Sequence, residues 1–334
     1  MFRRTLFDAI SAAFLLSSLT VALFVSHEEA LLNLTQDLLY IVLFLAIGAA
    51  ASLLLNKMKV ATLGGVLFDR QAQEHRSWYR SFWGWQLVVV LGVAFAVSLI
   101  KTQFSIVELL DHNGFAGAIR LFKGLLNPNW EVLPRAVLNI IETVFMAFLA
   151  TTLAIPVAFI LSFFCAKNIM RGPVAYAMYL ALRTFLNVTR SIEALIWAII
   201  FSVWVGIGPF AGMLALMIHS VVSLAKQYSE MVESVEEGPV EAIESTGANK
   251  LQTIWYAIVP QVVLPYISFT LYRWDINVRM ATVIGLVGGG GIGTMLIQYQ
   301  GQAMWREVGC IIAVIAVVVW ALDQASAHIR EALK

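Results

Sequence analysis

Gly288, Gly290 and Gly293 stand in the spacing G-x-G-x-x-G within GLVGGGGIG. In that spacing backbone N–H groups can cradle a pyrophosphate, provided a strand precedes the glycines and a helix follows in a βαβ unit. Here the preceding residues form an apolar run of membrane-span length, so the nucleotide reading fails. No G-x-x-x-x-G-K-[ST] occurs either, so the chain has no phosphate-cradling loop of its own. The glycines read as a break or tight turn near the outer face, either a gate or a plain turn; irregular backbone at membrane depth is tolerated where protein or a water-filled cavity covers it. His219 lies beside Ser220 in an apolar run, where a satisfied core histidine is the ordinary reading and a proton relay the rarer one. Cys165 and Cys310 have no metal-ligand spacing and read as small packed hydrophobes. With no nucleophile–base pair and no metal cluster, no covalent chemistry and no catalytic or metal-binding residue is expected.

Charges inside apolar runs are the remaining candidates, because an ionised group in a bilayer needs a partner or a function. Asp275 and Arg279 are four apart and face each other on a helix; Arg190 and Glu193 are three apart and can do the same. Arg273 has no such local partner. It falls roughly 20 Å beyond Pro260 along a helix, well into the bilayer. Two readings stand: Arg273 lines a path for an anion, with Arg279 nearer the outer mouth, or it pairs with another span, Glu142 for example.

These residues must be held by membrane helices. Apolar residues make up 60% of the 334 and charged residues 13%, about half the charge of a soluble domain. The net charge of +1 gives no support to nucleic-acid binding. The chain is expected to be all-α and embedded in lipid, with about eight spans, at 9–25, 38–55, 82–100, 136–164, 191–207, 210–224, 262–286 and 305–321. The first, which follows Arg3 and Arg4 and lacks a small-residue cleavage motif, reads as a retained signal anchor. Residues 173–188 form a semi-polar helix suited to the interface. Lys and Arg set orientation. Arg3 and Arg4, the loop 56–81 with Lys57, Lys59, Arg70, Arg76 and Arg80, then Lys167 and Arg171, and finally Arg330 and Lys334, all fall on the cytoplasmic side, so both termini are cytoplasmic. The loop 101–135 should be outside, yet carries Lys101, Arg120, Lys123 and Arg135; Phe115, Ile119, Phe122 and Leu126 recur there at helical spacing, which suits an amphipathic interfacial helix.

One polar stretch, EAIESTGANKLQTIWYAIVP, lies on the cytoplasmic side between two spans. Pro239 suits a first helical turn, Val240 to Thr246 read as a short helix, and Gly247 suits the left-handed residue that ends it. Lys250 to Val259 read as a second helix with Leu251, Ile254, Trp255 and Ile258 on one stripe, interrupted by Pro260. Two short helices with a glycine corner, joined to membrane helices at both ends, can transmit a push, and the acidic first helix suits a groove on a soluble partner.

This stretch resembles the cytoplasmic coupling motif of ABC-importer permeases, in which Glu-Ala-Ala, three residues, Gly, nine residues and Ile-x-Leu-Pro follow one another. Glu241, Ala242, Gly247 and Pro260 fall in place, while Ile243, Ala257 and Val259 depart conservatively. RSIEALIWAIIF, VGIGPFAGMLALMIHS, EEGPVEAIESTGA and LYRWDINVRMATVIGLVGGGGIG narrow the resemblance to the phosphonate-importer permease family, from about Ser81 to the end. The family often has Pro-Glu where this chain has Glu193-Ala194, so no role is carried over there.

The resemblance implies the membrane subunit of a type I ABC importer: a permease core of five spans plus three N-terminal ones. It divides the chain into an extension at 1–80, a third span and outer amphipathic segment at 81–135, and a core at 136–334 with coupling helices at 239–260. It implies a bacterial inner-membrane protein that pairs with a second copy of itself. Two separate ATPases carrying ATP and Mg would dock at Glu241, Ala242, Gly247, Ala248 and Pro260, with no cofactor in this chain. A periplasmic binding protein would deliver substrate, Gly288, Gly290 and Gly293 would form a gate or its contact, and Arg273, Arg279 and Arg190 would border the path. Phosphite, hypophosphite or phosphate are alternative cargoes in the same architecture. An ion-coupled secondary transporter is the rival class; it predicts an internal repeat with paired broken helices, which the sequence does not show.

Overall fold

The computed structural model describes residues 2–24, 34–58, 60, 62–68 and 78–332, all helix and short connections. They form two compact units, Met1–Phe115 and Ala116–Lys334.

The first unit holds α1 (Phe2–Phe24), α2 (Leu34–Lys57), α3 (Leu63–Phe68), α4 (Phe82–Lys101) and α5 (Ile106–Leu109). α1 packs against α2, α3 and α4, so the expected third span groups with the first two. Their joint is polar. Asp8, buried on α1, accepts hydrogen bonds from Ser52 Oγ (3.2 Å), Thr62 Oγ1 (2.6 Å) and the Gly64 N–H (2.8 Å). A buried carboxylate costs little only when its lone pairs are met in this way. Val25, the last residue of the expected span 9–25, lies outside the described residues, as do Lys59, Arg70, Arg76 and Lys334, on which part of the orientation rests.

The helix α6 (His112–Leu125) runs from the end of this unit into the next. Its stripe of Phe115, Ile119, Phe122 and Leu126 is exposed, as an interfacial helix requires.

The second unit is built around α7 (Leu133–Phe164). Ala136, Ile140, Thr143, Ala147, Ala150, Ala154 and Ala158 recur every three or four residues and are all buried. Small residues at this spacing let helix backbones approach closely, which is how helices pack where no water drives them together. Against this seam lies α10 (Pro209–Glu233), with Ala211, Gly212, Ala215 and Leu216 buried. The opposite face of α7 carries Leu138, Phe145, Phe148 and Ile160, all exposed and suited to lipid. Further helices complete the unit: α8 (Pro173–Ser191), α9 (Ala194–Val205), α11 (Glu237–Ser245), α12 (Lys250–Thr253), α13 (Val259–Ile284), α14 (Gly291–Gly301) and α15 (Trp305–Ala332).

Among the described residues, five helical stretches are long and apolar enough to cross a membrane: Phe82–Lys101, Trp130–Phe164, Pro209–Glu233, Lys250–Val287 and Trp305–Ala332. The expected span at 191–207 differs from what is found. α8 and α9 are bent by 87° at a two-residue break, and only together would they make a sixth. Ile192 (φ −87°, ψ 119°) and Glu193 (φ −65°, ψ 146°) are both extended there. The turn separates Arg190 from Glu193, and the expected i,i+3 ion pair does not form.

Candidate functional site

The polar stretch folds into α11 and α12 with a corner between them. Gly247 takes φ +84°, the left-handed conformation that glycine adopts without a Cβ clash, and its N–H donates to the Glu244 carbonyl (3.0 Å). Asn249 then opens the next helix with a capping box. Its side chain accepts from the Gln252 N–H (2.9 Å), and Gln252 Oε1 accepts from the Asn249 N–H (2.8 Å). Glu241, Ala242 and Gly247 are exposed, Ala248 is half-buried, and Leu251, Trp255 and Tyr256 are exposed as well.

Two sequence expectations are corrected here. Pro260 does not interrupt the helix, which runs from α12 into α13 through one π-helical turn at Ile254–Ile258. Pro260 has no N–H to give to residue 256, and its ring would crowd that carbonyl in an α-turn. The wider turn, in which the Val259 N–H reaches the Ile254 carbonyl, removes the conflict. The extra residue also rotates the expected stripe: Ile258 is buried, whereas Leu251 and Trp255 face out.

The end of α10, which leads into this corner, is tied by a polar clasp to α8 and to the segment between α7 and α8. Glu233, at the end of α10, accepts from Arg183 Nη1 (2.7 Å) and from the Lys167 N–H (2.9 Å). Asn168 Nδ2 donates to the Val232 carbonyl (2.7 Å). Cys165 lies beneath; burial pushes its thiol pKa up, outweighing the opposite pull of Arg183, so it stays a protonated packing group. Deeper, Tyr228 of α10 and Tyr266 of α13 stack with ring centroids 3.8 Å apart, and the Tyr266 hydroxyl donates to the Tyr228 carbonyl (3.1 Å). α10 and α13, which lead into and out of the corner, are thus joined directly to each other.

The intramembrane charges occupy three different environments. Arg279 pairs with Asp275 (2.7 Å) and reaches Asp323 (3.5 Å), so the i,i+4 neutralisation expected from sequence is present. Arg190 is exposed at the end of α8. Arg273 is 7% exposed, enclosed by helices, and its Nε donates to Ser220 Oγ (3.2 Å). Asn277 joins the same cluster through Ser220 Oγ (2.7 Å) and Thr151 Oγ1 (2.8 Å). Arg273 has no ion pair with Glu142, which lies elsewhere on an exposed face of α7.

The glycine run is a tightly packed break between α13 and α14. Gly288, Gly290 and Gly291 have φ of +92°, +77° and +67°. A Cβ on Gly290 would lie 2.6 Å from Pro209, and one on Gly291 2.3 Å from Thr143 Oγ1. The segment is therefore wedged between α7 and the start of α10, with the Ile292 N–H donating to Thr143 Oγ1 (2.9 Å). Beside this break α7 and α14 border a cavity of about 320 Å³, lined by Arg135, Asn139, Glu142, Thr294, Gln298 and Tyr299 among others. Sequence reasoning did not find it, because its groups come from segments more than 150 positions apart. Among the described residues no group of three His, Cys, Asp or Glu side chains comes together as a metal site would require.

Residues 136–327 match the family described as binding-protein-dependent transport system inner membrane component. The chain belongs to this family. It is a multi-pass permease subunit of a bacterial binding-protein-dependent ABC importer, located in the inner membrane, and works with a separate ATPase and a substrate-binding protein. The phosphite transport system permease protein PtxC of Stutzerimonas stutzeri is 32% identical over 254 residues, which cover 75% of this chain and 90% of that one. The phosphate-import permease protein PhnE of Mycolicibacterium smegmatis is 32% identical over 65% of this chain and 40% of its own length. The putative cryptic phosphonate transport system permease protein PhnE2 of Escherichia coli is 46% identical over 36% of this chain and 98% of its own. In fold the chain is similar to a solved inward-facing MetNI methionine ABC transporter chain, with a TM-score of 0.53 and 21% identity over 62% of this chain and 99% of that one.

Proposed function

We propose that two copies of this permease form the membrane path of an importer for phosphonates or related phosphorus oxyanions, with both termini in the cytoplasm. The observation that carries the mechanism is the exposed corner at Glu241, Ala242 and Gly247, joined at both ends to helices of membrane-span length. An ATPase holding ATP and Mg docks there, with Ala248 and Pro260 fixing the corner's shape. ATP binding draws the two sets of coupling helices together and opens the path outward; hydrolysis resets it. Arg190 and Arg279 border the path for the anion, and the enclosed Arg273 adds positive potential from within its wall. The break holding Gly288, Gly290 and Gly293 acts as the outer gate or as the contact for the binding protein.

Support for the cargo comes from the relatives, which are named for phosphite, phosphate and phosphonate. Phosphite is a specific second reading, since the phosphite permease covers most of both chains. Glu241→Lys tests the docking role: the ATPase is expected to co-purify with the wild-type chain and to be lost, at least tenfold, from the variant. Equal recovery of the ATPase with both would contradict the assignment.

A further inference from the structure

α6 is 14 residues long, about 21 Å of helix, too short for a hydrocarbon core of about 30 Å. It is fixed instead at the depth where two spanning stretches begin. A Cβ on Gly124 would lie 2.7 Å from Trp305 Cβ, and one on Gly309 would meet the Leu125 carbonyl. Arg306 Nε donates to the Asn127 carbonyl (3.1 Å), and the Asn129 N–H donates to the Arg306 carbonyl (3.0 Å). Trp305 opens α15, and Trp130 opens the stretch that contains α7. α6 therefore lies along the membrane surface.

The sides of this helix differ in chemistry. At about 100° per residue, Phe115, Ile119, Phe122 and Leu126 fall within about 60° of one another, and all four are exposed. Lys123 and then Arg120 follow on one flank, about 70° and 130° from the middle of that stripe. Gly124 and Leu125 are turned to α15. α6 holds no Asp or Glu. Lys123 and Arg120 are exposed and have no ion pair among the described residues. Arg306, exposed at the end of α6, is a third such cation, because its neighbour Glu307 accepts from Asn129 Nδ2 (3.1 Å) instead. With both termini cytoplasmic, this end is the outer one, where topology does not call for Lys or Arg. An apolar stripe beside a cationic edge, at headgroup depth, fits a molecule that carries hydrocarbon and phosphate in one piece. A soluble acidic partner would leave the stripe in water. We propose that α6 and Arg306 form a binding site for anionic phospholipid, with the stripe against the acyl chains and Lys123, Arg120 and Arg306 on the headgroup phosphate. A choline headgroup places its own cation among these three, whereas a glycerol headgroup does not. The leaflet follows from the orientation proposed above; the lipid preference does not depend on it.

The test titrates phosphatidylglycerol or phosphatidylcholine, with the same acyl chains, into the complex of this chain and its ATPase in a neutral detergent, and reads the thermal midpoint. The wild-type complex is expected to be stabilised by phosphatidylglycerol at the lower concentration. Arg120→Gln combined with Lys123→Gln should raise the half-effective phosphatidylglycerol concentration at least about tenfold, as the loss of two cations near an anionic headgroup implies, and leave the phosphatidylcholine response unchanged. Lys123→Gln alone gives the readout if the double variant is not recovered. Arg120→Lys combined with Lys123→Arg should keep the preference, which separates charge from helix packing. Phe122→Gln should weaken the response to both lipids together. Equal responses of the wild-type complex to the two lipids would overturn the site, as would an unchanged preference in the Gln variants. If those variants instead lose stimulation of ATP hydrolysis by the binding protein and keep the lipid preference, the cationic edge belongs to that protein and the lipid site is overturned.

Discussion

Individual glycines carry constraints of two kinds. Gly291 combines a left-handed backbone with a Cβ position 2.3 Å from Thr143 Oγ1. Gly301 has ordinary backbone and nothing within 4 Å of its Cβ position. Gly291→Ala is therefore expected to lower the thermal midpoint of the detergent-solubilised protein by several degrees, through about 1–3 kcal/mol of backbone strain plus the clash. Gly301→Ala serves as the control and should stay within a degree or so; equal midpoints for the two variants would contradict the wedged geometry. The need for glycine here was legible in the sequence as a break. Its reason was not, since Thr143 and Pro209 are remote in the chain. The buried Asp8 was missed for a related reason: its partners Ser52, Thr62 and Gly64 are ordinary polar residues more than forty positions away.

At the scale of elements, the coupling corner was the most legible part. Gly247 and Pro260 mark the turn and the entry to α13 with residue types whose backbone limits are intrinsic. The way Pro260 is accommodated was not legible, because a π-turn and a helix end both satisfy the missing N–H. The 87° bend between α8 and α9 left no mark either: Ile192 and Glu193 are merely extended, a conformation open to any residue. Gly247 has open space around it, so Gly247→Val should strain φ without disturbing packing. Insertion is expected to persist while ATP hydrolysed per substrate transported rises several-fold. Asn249→Ala removes the capping box and should weaken α12 by about 1 kcal/mol, with a smaller change of the same sign. Unaltered coupling in Gly247→Val would count against a rigid corner.

Across the whole molecule, a small-residue seam on α7 holds the permease core, stacked tyrosines join α10 to α13, and an ion pair joins α8 to α10. The family match at 136–327 lies within the second compact unit. Composition and span length made the membrane fold plain from sequence, and the coupling spacing gave the importer class. The polar cavity required the three-dimensional arrangement, because α7 and α14 meet only in the folded chain. The central claim is ATP-driven import of a phosphorus oxyanion. Its most direct test is uptake into proteoliposomes containing this chain, its ATPase and its binding protein, with a panel of phosphonates, phosphite, hypophosphite and phosphate. The account predicts ATP-dependent accumulation of at least one of these compounds, abolished when the ATPase is omitted. Accumulation that proceeds without ATP and follows an imposed ion gradient would contradict it.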